Sequence, residues 1–174
     1  MVTTRSGNNP RAMADEGSNP PGNATSPELV AILQQVASMA TQSNQTKVER
    51  SKELQEGRKA LSFHGTFTGD KNARSEYSAY EENLQGVALE FPDTFRDCMS
   101  KALGEDVEVD PECDEMFYQL IRSGCRGVAL QHVRGTAKTM TSAGQKISGV
   151  QCLIALREWA MPSSYLDMLA GLFE

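Results

Sequence analysis

Residues 115–174 read EMFYQLIRSGCRGVALQHVRGTAKTMTSAGQKISGVQCLIALREWAMPSSYLDMLAGLFE. Two apolar segments of helical spacing flank a polar loop, and a third begins after Pro162. The first is launched by Asp110-Pro111-Glu112: a capping carboxylate, a proline whose missing N–H costs nothing at a helix start, and an acid near the positive helix end. Met116, Phe117, Leu120 and Ile121 follow at helical intervals, and Gly124 and Gly127 mark a break or a tight packing point before Val128, Leu130 and Val133. Gly135 to Gly149 is polar and reads as the long flexible loop of the domain. Ile147 to Met161 reads as the next helix, with Val150, Leu153, Ile154 and Trp159 as core candidates, and Pro162-Ser163-Ser164 opens a last one.

Upstream, Tyr77, Tyr80, Leu84, Val87 and Ala88 form a helical face that runs to Phe91 and is stopped by Pro92. Asp93 is placed to cap a short helix carrying Phe95, Met99, Ala102 and Leu103, ended by Gly104. Glu105 to Asp110 reads as a solvated acidic loop, and Phe63 to Asp70 as a turn-rich connector. Ser26-Pro27-Glu28 is a further helix start, followed by Leu29, Ile32, Val36 and Met39 at spacings of 3, 4 and 3. Past Met39 the seam turns polar, and Val48, Leu54 and Leu61 are too sparse to replace it, so the later turns are expected to be solvated. The stripe suits a short self-associating coiled coil, or an amphipathic helix folded back on its own domain. Residues 1–25, rich in Gly, Pro, Asn, Ser and Thr, bury too little apolar surface to offset chain entropy and read as a disordered tail.

The expected fold is all-α: a bundle of about five or six helices over 63–174, preceded by the tail and a long helix over 26–62. Apolar content of 39% and charged content of 23% suit a globular protein, and no apolar run reaches the ~18–20 residues of a membrane span. The start of the chain lacks the apolar core of a secretory signal, and Val2 excludes ordinary N-myristoylation. An intracellular chain is therefore expected, cytoplasmic with the nucleus as the alternative. There, Cys98, Cys113, Cys125 and Cys152 are reduced and packed as small hydrophobes. The net charge of −6 hides an asymmetry: residues 63–115 carry 4 basic and 14 acidic groups, residues 116–174 carry 6 and 3. So acidic a middle argues against non-specific nucleic-acid binding by the whole domain.

No constellation for catalysis, cofactor or metal emerges. His64 and His132 lack a nucleophile elbow, and each reads as a surface or half-buried helix-end histidine. Gly65 to Lys71 fails the spacing of a phosphate loop, the cysteines form no C-x-x-C pair, and the acidic loop lacks the central glycine of a calcium loop. Arg122, Arg126, Arg134, Lys138 and Lys146 form a modest basic group, a solvated face or a contact for RNA or an acidic partner.

The C-terminal layout resembles the capsid-like part of retrotransposon Gag polyproteins, copia-type and related. The resemblance is carried by Phe117, Tyr118, Leu120, Ile121, Gly127, Ala129 and Leu130 before the loop. Gly149, Leu153, Leu156 and Pro162 carry it after the loop, and Tyr165, Leu166, Met168, Leu169 and Leu172 at the end. Leu153 stands at the family's usual tryptophan and Ala160 near its usual tyrosine, with Trp159 one position off. Phe63 and Gly65 fit the Phe-x-Gly with which many such domains open. The resemblance implies a structural, non-enzymatic protein that self-associates into a particle packaging element RNA. It implies no cofactor, no membrane, no small-molecule substrate, and RNA contacts in regions downstream of this chain. The apolar Leu172-Phe173 at the end of the pattern leads to the expectation that the domain continues beyond Glu174. The alternative is a helical adaptor that binds a partner through residues 27–62.

Overall fold

The structure, a computed structural model, describes residues 26–70 and 73–162. The expected tail over 1–25 and the expected last helix after Pro162 lie outside the described residues. The fold is all-α, with six α-helices among those residues: α1 (Pro27–His64), α2 (Ala73–Glu90), α3 (Asp97–Ala102), α4 (Pro111–Gly124), α5 (Gly127–Ser142) and α6 (Gly149–Ala160). A single π-helical turn, Pro92–Arg96, leads into α3. The chain divides into two units, at Gln42/Ser43 within α1.

Both proline-led helix starts form as local chemistry requires. Glu28 N–H donates to Ser26 Oγ at 3.3 Å, and Glu112 N–H donates to Asp110 Oδ1 at 2.8 Å. Asp93 does not cap α3. It sits inside the π turn, Phe91 takes the capping position without a side-chain hydrogen bond, and Thr94 and Phe95 turn inward and are buried. One extra residue per turn at Pro92 rotates Phe95 into the core, where it faces Phe117 at 6.3 Å between ring centroids.

The core of the second unit is built on α4 and α6. α4 buries Cys113, Phe117, Leu120, Ile121 and Gly124, and α6 buries Val150, Cys152, Leu153, Leu156 and Ala160. The two helices meet backbone to backbone at Gly149. A Cβ there would lie 2.7 Å from Asp114 O and 2.8 Å from Phe117 C, and closer still to Tyr118 N. The first turn of α6 is held in that position by two acceptors: Asp114 Oδ1 takes Val150 N–H at 2.9 Å, and Ser148 Oγ takes Gln151 N–H at 3.2 Å. Further along α6, Arg157 donates to Glu81 Oε1 at 2.9 Å and to Ala102 O at 2.7 Å, tying α2 and the end of α3 to α6.

Three further expectations are corrected. The long loop expected over Gly135 to Gly149 is largely helix, because α5 continues to Ser142. Ala129, Val133 and Ala137 keep a buried stripe at intervals of four, and Thr136, Thr139 and Thr141 donate to carbonyls one turn back. The helix stops at Gly144, whose φ of +72° ends it, while Gln145 N–H returns to Met140 O at 2.9 Å. The later turns of α1, expected to be solvated, bury Leu54, Gly57 and Leu61. Gly57 makes this packing close, since a Cβ would meet Val87 Cγ1 at 3.0 Å and Leu120 Cδ1 at 3.3 Å.

The third concerns the connector, expected to begin at Phe63: α1 runs on through His64, and the connector that follows is anchored by Phe67. Phe63 is 89% exposed, whereas Phe67 is buried against Tyr77, Tyr80 and Trp159. Phe67 N–H donates to Gly124 O at 2.9 Å and Arg126 N–H to Phe67 O at 2.8 Å, a one-residue parallel bridge clipping the connector to the α4–α5 junction. Of the residues placed on the short helix, Phe95, Met99 and Ala102 are buried and Leu103 is 46% exposed.

Two glycines separate packing from propensity. Gly149→Ala must push the α4 and α6 backbones apart and should cost about 3 kcal/mol. Gly86→Ala, in the exposed middle of α2 with open space around it, should stabilise by about 0.7–1 kcal/mol. Urea unfolding of the two variants checks both signs.

Candidate functional site

Two surface features stand out from the packed interior. The first is the apolar stripe at the start of α1. Leu29 (53% exposed), Ile32 (56%), Val36 (56%) and Met39 (62%) all face solvent, and Val30 and Leu33 widen the strip. Helical spacing makes the stripe legible in the sequence, but its exposure is not, because the same spacing serves a helix buried in its own core. Residues 29–46 also contain no charged side chain at all, so the stripe lies among Ala, Gln, Ser, Thr and Asn, between Glu28 and Lys47.

The second is a groove of about 560 Å³ in the second unit, into which Arg58, Arg122, Arg126 and Arg134 converge around Tyr118 and Leu130. Four segments build it. α4 presents Tyr118, Gln119 and Arg122 on its outer face, the α4–α5 link supplies Arg126, α5 supplies Arg134, and α1 supplies Arg58. Arg58 donates from Nη2 to Gln119 Oε1 at 2.8 Å, while its Nε is buried and has no hydrogen-bond partner. Such an unpaired donor costs about 1–3 kcal/mol of lost hydration. Arg126 donates to the carbonyls of Ser123 and Cys125 at 2.9 and 2.7 Å. Among the described residues none of the four guanidiniums forms an ion pair.

Of the five basic residues expected to act together, the fold gathers Arg122, Arg126 and Arg134. Lys138 lies one turn beyond Arg134 on α5, away from the groove lining. Lys146 lines an adjoining depression with Asp110, Glu112, Asp114 and Glu115. Arg58 was invisible to sequence reasoning, because it is 64 positions from Arg122 and no local spacing joins them. The acidic depression has its own pairing: Arg50 Nη1 lies 3.0 Å from Asp110 Oδ2 and 3.5 Å from Glu112 Oε2. The Glu112 N–H, and after it Arg50, hold the Asp110 carboxyl below its ordinary range. Glu105, Asp106 and Glu108 in the loop before it are exposed, and only Asp106 of the three has an ion-pair partner among the described residues, Lys101 at 3.4 Å.

His132 is half-buried in the middle of α5, not at its end. Its ring stacks on Trp159 with centroids 5.1 Å apart and an interplanar angle of 19°, and Nε2 lies 3.2 Å from Ala155 O. His64 closes α1 in an edge-to-face contact with Phe63, rather than sitting in the loop. All four cysteines are free and buried. Burial pushes the Cys125 and Cys152 thiols from 9.0 up to about 12, and raises Cys98 and Cys113 as well. Among the described residues no three His, Cys, Asp or Glu side chains gather as a metal-binding set, and no helix is long and apolar enough to cross a membrane. Comparison with protein-family models, curated proteins and solved structures finds no match.

The raised thiols give stability a defined pH dependence. Above pH 9.0 the unfolded chain sheds thiol protons that the fold retains up to about 12, so stability is complete below 9.0 and declines as pH rises through that window. From pH 8 to pH 10 Cys125 and Cys152 together should account for roughly 3 kcal/mol of this decline. Urea titrations of the parent and of a Cys125→Ala/Cys152→Ala variant measure it, the variant showing the shallower pH slope.

Proposed function

We propose that this chain is a structural, self-associating protein of the Gag capsid kind, whose copies meet first through the exposed stripe on α1. The observation that carries the reading is four apolar side chains in a–d spacing, all more than half exposed, on an uncharged stretch of helix. A foreign helix selected by charge would find no charge there to read. A second copy presents the same stripe in the same register and meets no like-charge repulsion. Burying four such side chains from each of two copies yields on the order of 10–20 kcal/mol gross. Association itself costs about 4–15 kcal/mol, so the contact is weak and concentration-dependent. Weak repeated contacts are what a particle assembled from many copies uses. The all-α bundle with its α4–α5 junction and α6 supports the same reading. RNA packaging, in this reading, falls to other regions of a longer polyprotein.

Sedimentation equilibrium of the wild-type chain tests it. The wild type should self-associate with rising concentration, and Ile32→Glu/Val36→Glu should weaken association at least about tenfold while leaving the core and its melting temperature unchanged. A wild type that stays monomeric at every concentration, or a double variant that associates as the wild type does, would end this reading. The adaptor alternative would then gain if the stripe proved necessary to hold a different protein.

A further inference from the structure

We propose that two copies of this chain pair across their α4 faces about a two-fold axis, each laying its acidic loop Glu105–Asp110 on the arginine groove of the other. The proposal rests on the reading of the chain as self-associating, and it assigns a second contact surface independent of the α1 stripe.

The argument begins with the order of charge along α4. Its first turns carry Glu112, Asp114 and Glu115, preceded by the exposed carboxylates of Glu105, Asp106 and Glu108; its end carries Arg122, followed by Arg126. The outer face of the helix is Glu115, Tyr118, Gln119 and Arg122, so acid and base sit at opposite ends of one solvent-facing strip about 10 Å long. Two such strips placed antiparallel match acid to base at both ends at once, which is the self-complementarity a two-fold interface requires.

The groove is suited to a carboxylate-bearing segment. Four guanidiniums converge on it, none of them in an ion pair among the described residues, and the buried Nε of Arg58 lacks an acceptor. Guanidinium forks match carboxylates two-pronged, and the loop supplies Glu105 and Glu108, which have no ion-pair partner among the described residues. An extended polyanion fits less well. Glu115 belongs to the groove lining and to the acidic depression alongside, so a long phosphate backbone leaving the groove on that side meets Asp110, Glu112 and Asp114.

The test uses charge reversal in the full chain, in the Ile32→Glu/Val36→Glu background so that the α1 stripe is silent. One variant carries Arg122→Glu and Arg134→Glu, the other Glu105→Arg and Glu108→Arg; all four positions are exposed, and matching thermal melts establish that both fold. The parent of this background should still pair, about tenfold more weakly when salt is raised from low to physiological strength. Each charge-reversed variant alone should lose pairing at least tenfold, because like charges then meet at both ends. An equimolar mixture of the two should form a heterodimer within a few-fold of the parent's affinity, a rescue that a merely structural role for these residues cannot produce. A mixture that fails to pair overturns the proposal. So does binding of a fluorescent oligouridylate that depends on Arg122 and Arg134 while pairing does not. A parent that is monomeric although the wild-type chain associates overturns this contact and leaves the α1 reading standing; equal association of parent and wild type does the reverse.

Discussion

The contact on which the rest of the bundle depends is the meeting of two backbones at Gly149. No side chain separates α6 from α4 there, and the first N–H groups of α6 are taken up by Asp114 and Ser148 rather than by solvent. That seat fixes where the remaining turns of α6 go. Leu153 and Leu156 enter the core, Arg157 reaches Glu81 on α2 and the carbonyl of Ala102, and Trp159 closes over Phe67. Phe67 in turn clips the connector to the start of α5. A single missing Cβ thereby sets the positions of α2, α3 and the connector through one rigid helix.

Much of this is legible in the sequence, and what is legible is local. The two Xaa-Pro-Glu helix starts were readable because a cap and its N–H lie within three residues, and the Tyr77–Ala88 face because its apolar spacing is dense. What escaped the reading depends on partners far along the chain. The later turns of α1 look polar because Leu54 and Leu61 are seven apart, and the residue between them that does the packing is Gly57, whose contribution is the absence of a side chain. The continuation of α5 was hidden by Gly135 and three threonines; the buried Ala137 that holds the helix in place is too small to mark an apolar face. Phe63 and Phe67 are equivalent as residue types, and only the approach of Tyr77, Tyr80 and Trp159 decides which is inside.

The surfaces show the same division. The α1 stripe could be found by periodicity, and folding determined that it faces water. Three of the five basic residues singled out by sequence do converge, since Arg122, Arg126 and Arg134 bracket the short α4–α5 junction. Arg58 joins them from another helix, and with it comes the one buried side-chain nitrogen that lacks a partner among the described residues. The acidic excess of residues 63–115 and the basic excess after them then become a spatial polarity along α4, in place of a difference between two stretches of text.

The stacking of Trp159 on His132 gives the molecule a built-in optical gauge. The chain has one tryptophan, and its indole is wedged between α5 and the connector's Phe67. Its fluorescence therefore originates from one place, the joint where α5, α6 and the connector converge, and any loosening of that joint alters the emission before the rest of the bundle comes apart. Events at the α1 stripe, which holds no aromatic ring, leave the signal dark to them.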